Sequence, residues 1–242
     1  MRFDIEKSFH NNENEKNHMA FTRIRSTLSH LTTKIFEHPF NRQLNEGSLP
    51  REAFTLFLEQ DFLYLKDYSK ALHIISKRLD KNHAEKFYRF ATSTSADNLH
   101  RNYLAHPHSP RLFHAKKIRH EKIPVIADYT THILTHAAYS PIAEAIASVT
   151  PCYWIYSELG QKMRVSPDNP YNCWITSISH PDFIISARIM VNILEELMEN
   201  NRGKEDEIIT AFMRSTEYEL GFFDSVYDET SIYDKRIITA LR

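Results

Sequence analysis

Ser148-Val-Thr-Pro-Cys-Tyr-Trp-Ile-Tyr-Ser-Glu-Leu-Gly160 carries the pattern from which an all-helical chain is inferred. Ala145, Val149, Tyr153 and Tyr156 recur at three- and four-residue spacing, which predicts a helix. Pro151 falls inside that pattern. There it removes a backbone N–H and crowds the preceding turn, so a kink is expected. Cys152 follows at once, ringed by Tyr153, Trp154 and Tyr156, beside carbonyls that the kink leaves free. Free cysteine is among the most often buried residue types, so core packing is one reading of this thiol. A reactive thiol is the other, and the rest of the chain bears on the choice.

Working outward, the composition favours more of the same. Only 4 of 242 residues are Gly, and the 10 Pro fall at element boundaries or at the one kink. A chain so poor in Gly suits long helices rather than a turn-dense β fold. Hydrophobic residues make up 42% and charged residues 25%, ordinary values for a globular protein. With 30 Lys plus Arg against 31 Asp plus Glu, no basic field draws the chain to nucleic acid or anionic lipid. Two cysteines, Cys152 and Cys173, make no disulfide framework in a chain of this length. No apolar run is long enough to span a membrane, and the charged first residues do not resemble a secretory signal, so a cytoplasmic location is expected.

Residues 1–19 are read as a polar extension and 20–242 as one domain. A first helix is expected from Ala20 to about His38, broken by His38-Pro-Phe40, and a turn at Gly47-Ser-Leu-Pro50. A long helix follows to about Arg78, and a third from Lys81 to about Ala105. A fourth starts at Pro124 and a fifth, carrying Cys152, runs from Pro141 to about Met163. Short helix is expected over 171–178, a sixth long helix over 181–200, a seventh from Glu205 to Tyr227, and a short last one over 232–241. Seven long helices with short connections form a bundle.

Asp61 and Glu219 break the apolar faces of their helices. An ionised carboxylate is costly to bury unless paired, so each is either a satisfied internal ion pair or a working group. Three inward anomalies on three helices, Asp61, Cys152 and Glu219, supply the parts of a covalent active site. An apolar surround raises a carboxyl pKa towards neutrality, which suits acid–base work. Tyr64, Tyr129, Tyr153, Tyr156, Phe222 and Phe223 lie near them at helical spacing. Such aromatics are core by default, but several Tyr beside two carboxylates also suit a flat, nitrogen-rich ring.

The stretches His38-Pro-Phe40, Gly47-Ser-Leu-Pro50, Phe57-Leu-Glu-Gln-Asp-Phe-Leu-Tyr64, Pro151-Cys-Tyr-Trp-Ile-Tyr156, Asn169-Pro-Tyr-Asn-Cys-Trp174 and Tyr218-Glu-Leu-Gly-Phe-Phe-Asp224 resemble, in order and spacing, the TenA family of thiaminase II enzymes. The resemblance covers about residues 20–230. It implies an all-α, haem-oxygenase-like fold, commonly a homotetramer, and no metal or organic cofactor. It also implies hydrolysis of an aminomethyl-pyrimidine from degraded thiamin to hydroxymethyl-pyrimidine, and cleavage of thiamin. Carried over by position, Cys152 matches the nucleophile and Glu219 the acid–base group. Asp61 matches the group that holds the aminopyrimidine edge, and Tyr64, Tyr129, Tyr156 and Phe222 match the surrounding aromatics. Two positions depart from the family pattern. Ile178 stands where a Tyr is frequent, so either a neighbour such as Tyr153 supplies the missing hydroxyl or activity or substrate preference has drifted. Phe223 stands where a Trp is common.

Other functions remain open at this level. A metal-dependent oxygenase of the same fold needs His on its last long helix, and no His follows His180. A cofactorless oxidase like pyrroloquinoline quinone synthase needs a basic, His-lined site, which this acidic and aromatic set does not match. A non-enzymatic regulator would use the basic segment Arg111 to Lys122, but the near-neutral charge argues against direct DNA binding and the segment reads better as a solvated loop face.

Overall fold

The computed structural model describes residues 19–94 and 121–240. The polar extension, most of the basic segment and the far end of the expected third helix lie outside the described residues. Within them the chain is all helical, as the periodicity predicts. The helices are α1 (Met19–Thr27), α2 (Ser29–Phe36), α3 (Pro39–Glu46), α4 (Arg51–Ser76), α5 (Lys81–Ser93), α6 (Pro124–Tyr139), α7 (Ile142–Lys162), α8 (Asn172–Ser179), α9 (Pro181–Asn200) and α10 (Glu205–Ala240).

Three boundaries differ from the pattern reading. The first helix is interrupted at Leu28 and becomes α1 and α2, although Leu28 N and Thr32 N keep helical hydrogen bonds across the break. Residues 39–46, read as a break and its sequel, form α3. His38 Nδ1 accepts from Phe40 N–H, Pro39 is the first helical residue, and Gly47 ends the helix at φ 78°. The two C-terminal helices are one, because nothing between Tyr227 and Ser231 stops α10.

α7 is the central rod. Nearly all its side chains are buried, as expected of a helix apolar on every side. α4, α6, α7 and α10 all touch one another, and α5, α8 and α9 flank them. The helix continues through Pro151. Of the carbonyls just before the proline, that of Ser148 accepts from Ser215 Oγ at 2.6 Å and that of Val149 from the Tyr68 hydroxyl at 2.8 Å. Side chains of α10 and α4 thus bond carbonyls in the turn before the proline and tie that turn to both helices.

Candidate active site

The four mutually packed helices each send polar groups to one place. Cys152 and Tyr156 come from α7, one turn apart; Asp61 and Tyr64 from α4, three residues apart; Tyr129 from α6; and Glu219 from α10. The i, i+3 and i, i+4 spacings put each pair on one helix face.

Glu219 is 2% exposed, and Tyr129 OH donates to its Oε1 at 3.0 Å. Its pKa is raised to about 8: burial is the main cause and the nearby Asp61 adds to it, against the Tyr129 and Tyr156 hydroxyls, which pull it down. Asp61 keeps some accessible surface, yet desolvation pushes its carboxyl up to about 7. Both acids are therefore poised to hold or release a proton near neutrality. Cys152 is a free thiol, buried, and its pKa is driven well up by desolvation and then by the charges of Glu219 and Asp61. An isolated thiolate is disfavoured here, so the sulfur reacts only if its proton moves as the new bond forms.

The aromatic residues form two packed sets. Tyr64 lies 4.7 Å from Tyr129 and 5.4 Å from Tyr68, centroid to centroid. Phe222 stacks on Phe57 at 5.1 Å, and Phe57 reaches Tyr156 at 6.5 Å. The Tyr64 hydroxyl is buried and finds no hydrogen-bond partner among the described residues, although it is near enough to the Cys152 thiol to favour its ionisation. A buried hydroxyl without a partner is costly, so a polar ligand atom at this point would satisfy it.

All seven expected residues thus sit around one region: Cys152, Glu219, Asp61, Tyr64, Tyr129, Tyr156 and Phe222. Tyr153 does not replace the hydroxyl missing at Ile178. Its own hydroxyl is tied to Thr94 Oγ1, and its ring packs on Phe90 and Phe183. Tyr68 was not singled out by pattern, yet it holds the Val149 carbonyl and its hydroxyl favours the Cys152 thiolate. Its signal was present: it lies seven residues after Asp61, on the same stripe. Gln60 belongs to the quoted stretch ending at Tyr64, but the sequence gives it no role of its own. Its amide clamps the backbone of Glu121 and Ile123 beside Asp61. Among the described residues no three His, Cys, Asp or Glu side chains gather in a geometry that would hold a metal ion.

Comparison with known proteins adds the following. The model of the TENA/THI-4/PQQC family matches residues 25–229. An aminopyrimidine aminohydrolase of Halalkalibacterium halodurans is 30% identical over 204 residues, which are 80% of this chain and 89% of that one. A thiamine biosynthesis multifunctional protein of Corynebacterium glutamicum is 29% identical over 194 residues; the match takes in 76% of this chain but only 24% of that longer protein. Among solved structures, the TenA homologue of P. horikoshii superposes with a TM-score of 0.75 at 24% identity, covering 87% of this chain and 99% of that one. This likeness bears on the fold, which is the haem-oxygenase-like helical one.

Proposed function

The chain belongs to the TENA/THI-4/PQQC family, and from that premise we propose that it is a thiamin-salvage hydrolase with Cys152 as nucleophile and Glu219 as acid–base group. Its substrate in this reading is an aminomethyl-pyrimidine, converted to the hydroxymethyl-pyrimidine with release of ammonia. Cleavage of thiamin is a second reaction of the same site. The relative from H. halodurans named aminopyrimidine aminohydrolase supports the substrate class. The observation that carries the reading is the meeting of one thiol and two carboxyls, from three helices, against a wall of tyrosines.

Burial gives these groups their roles. Cys152 Sγ bonds to a ring carbon of the pyrimidine, and its proton passes by way of Glu219 to a ring nitrogen. The ring electrons then expel the amine from the exocyclic methylene, and Glu219 supplies the proton with which it leaves. Water adds to that methylene and returns a proton to Glu219. Sγ departs, recovering its proton as the ring regains aromaticity. Asp61 holds the amino edge of the ring, and the Tyr64 hydroxyl gains a partner in the bound heterocycle. Phe222 and Tyr156 flank the ring faces. Assembly as a homotetramer or homodimer belongs to the same reading, and sedimentation of the purified protein measures it.

The test incubates the purified chain with aminomethyl-pyrimidine and with thiamin, beside Cys152→Ser and Glu219→Gln. Loss of a positioned acid–base group lowers turnover by about 10²- to 10⁴-fold, and Cys152→Ser falls at least as far. Variants as active as the parent reject the mechanism. A parent that turns over neither compound rejects the function.

A further inference from the structure

We propose that Tyr218 is a positioning residue for the acid–base group: its ring fixes Tyr129, and Tyr129 fixes Glu219. The inference rests on the role given to Glu219 above. Tyr218 directly precedes Glu219 on α10, so its side chain leaves the helix about 100° away from the carboxyl. Its ring nevertheless returns to the same partner. It stacks on Tyr129 at 5.3 Å with the planes 18° apart, while Tyr129 OH donates to Glu219 Oε1. Two successive residues of α10 thus grip one tyrosine of α6, one by its ring and one by its hydroxyl. Tyr64 packs on Tyr129 at 4.7 Å from the side of the thiol.

The outer side of Tyr218 is held as well. The Arg214 guanidinium lies 4.6 Å from its ring centroid and is itself paired with Glu217 at 2.9 Å. His132 packs on the same ring at 5.6 Å; burial, with His136 beside it, pushes its pKa down to about 4, so the lasting cation here is Arg214. If Tyr218 is removed, Tyr129 has room to tilt. A modest tilt takes its hydroxyl out of hydrogen-bonding geometry with the carboxylate. The charged and titratable groups that face Glu219 are Asp61, Tyr64 and Tyr68 of α4, Tyr129 of α6, and Tyr156 and Cys152 of α7. Of these, Tyr129 is the one that Tyr218 controls. Its hydrogen bond favours the ionised form, so loosening it raises the pH at which Glu219 gives up its proton.

The experiment follows the Glu219 carboxyl by infrared difference titration of the full chain, assigned by its absence in Glu219→Gln, and needs no substrate. Parent, Tyr218→Phe and Tyr218→Leu are compared, with turnover measured in parallel. Tyr218→Phe keeps the ring and stays within about twofold of the parent in both readouts. Tyr218→Leu titrates at higher pH and loses about tenfold in kcat with KM within about twofold. A Leu variant that titrates like the parent overturns the proposal, whatever its activity. If Leu does not fold, Arg214→Met, which strips the cation from the outer face, carries the test, with a smaller upward shift expected and none overturning the proposal. A titration shift in a chain that turns over no pyrimidine leaves the positioning role standing and removes the hydrolase reading instead.

Discussion

Glu219 and Asp61 set catalysis against stability, and the sign can be worked out from their environment. Their carboxyls are pushed from 4.5 to about 8 and from 3.8 to about 7, so between those limits the folded chain binds more protons than the unfolded one. The stability these groups allow is therefore complete below about pH 4 and is lost as pH rises through 7 and 8. Gln at 219 keeps an oxygen for the Tyr129 hydroxyl and cannot ionise. Glu219→Gln is thus expected to gain stability over the parent with rising pH, on the order of a few kcal/mol by about pH 9. Urea unfolding of both proteins across that range measures it, and a variant less stable than the parent at the alkaline end contradicts the buried-acid account. The same side chains show what a pattern of residues can reveal. Asp61, Cys152 and Glu219 stood out because each violates the chemistry of its helix face. Tyr68 did not, because an aromatic on an apolar stripe obeys that chemistry while its hydroxyl does something else, and Tyr218 did not, because a half-buried aromatic beside the stripe breaks no rule either. The Tyr153 hydroxyl, one candidate for the group absent at Ile178, meets Thr94 Oγ1 instead, since periodicity gives a face but not a partner on another helix.

At the scale of elements, the two His-Pro pairs show how far capping signals reach. His38 and His180 both accept a backbone N–H two residues on, from Phe40 and Asp182, and a proline opens the helix that follows. The second start was readable because twenty residues of apolar periodicity follow it. The first leads into eight residues with two buried apolar side chains, Phe40 and Leu44, too few to register as a stripe. The merger of the last two helices had the opposite cause: a polar stretch without Gly or Pro looks like a boundary yet contains no stop. Closer packing between elements was invisible from the sequence. Gly160 lets α8 approach α7 so nearly that a Cβ there would lie 2.3 Å from the Ile178 carbonyl oxygen. Backbone cannot yield as a flexible side chain does, so Gly160→Ala is expected to cost about 3 kcal/mol in urea unfolding. A loss below about 0.5 kcal/mol would show that α8 shifts freely. The C-terminus of α6 is held by Arg78, which donates to the carbonyls of Ala137 and Ser140. Arg78→Met keeps most of the stem and removes both donors, so a loss of about 1–2 kcal/mol is expected by the same measurement.

The whole molecule is organised so that the site and the core share the same helices. The described apolar residues form one buried cluster that takes in Cys152, Tyr64, Tyr129, Tyr156 and Phe222. A ligand seated among them touches α4, α6, α7 and α10 together, and these come together only in the folded chain. Binding therefore adds to global stability rather than stiffening one loop. A site occupied at one hundred times its dissociation constant contributes about 2.7 kcal/mol. For a chain of this size that corresponds to a rise in Tm of about 5–10 °C. Hydroxymethyl-pyrimidine, the product, is the suitable probe, because it is not consumed during the scan. Cys152→Ser should show the full rise, since the sulfur bonds to the ring only during turnover. Asp61→Asn should show little, since it alters the hydrogen bonds offered to the amino edge. The contrast separates holding the ring from reacting with it. A parent Tm that does not move at saturating product would place the heterocycle elsewhere, and an unchanged rise in Asp61→Asn would take the amino edge away from α4.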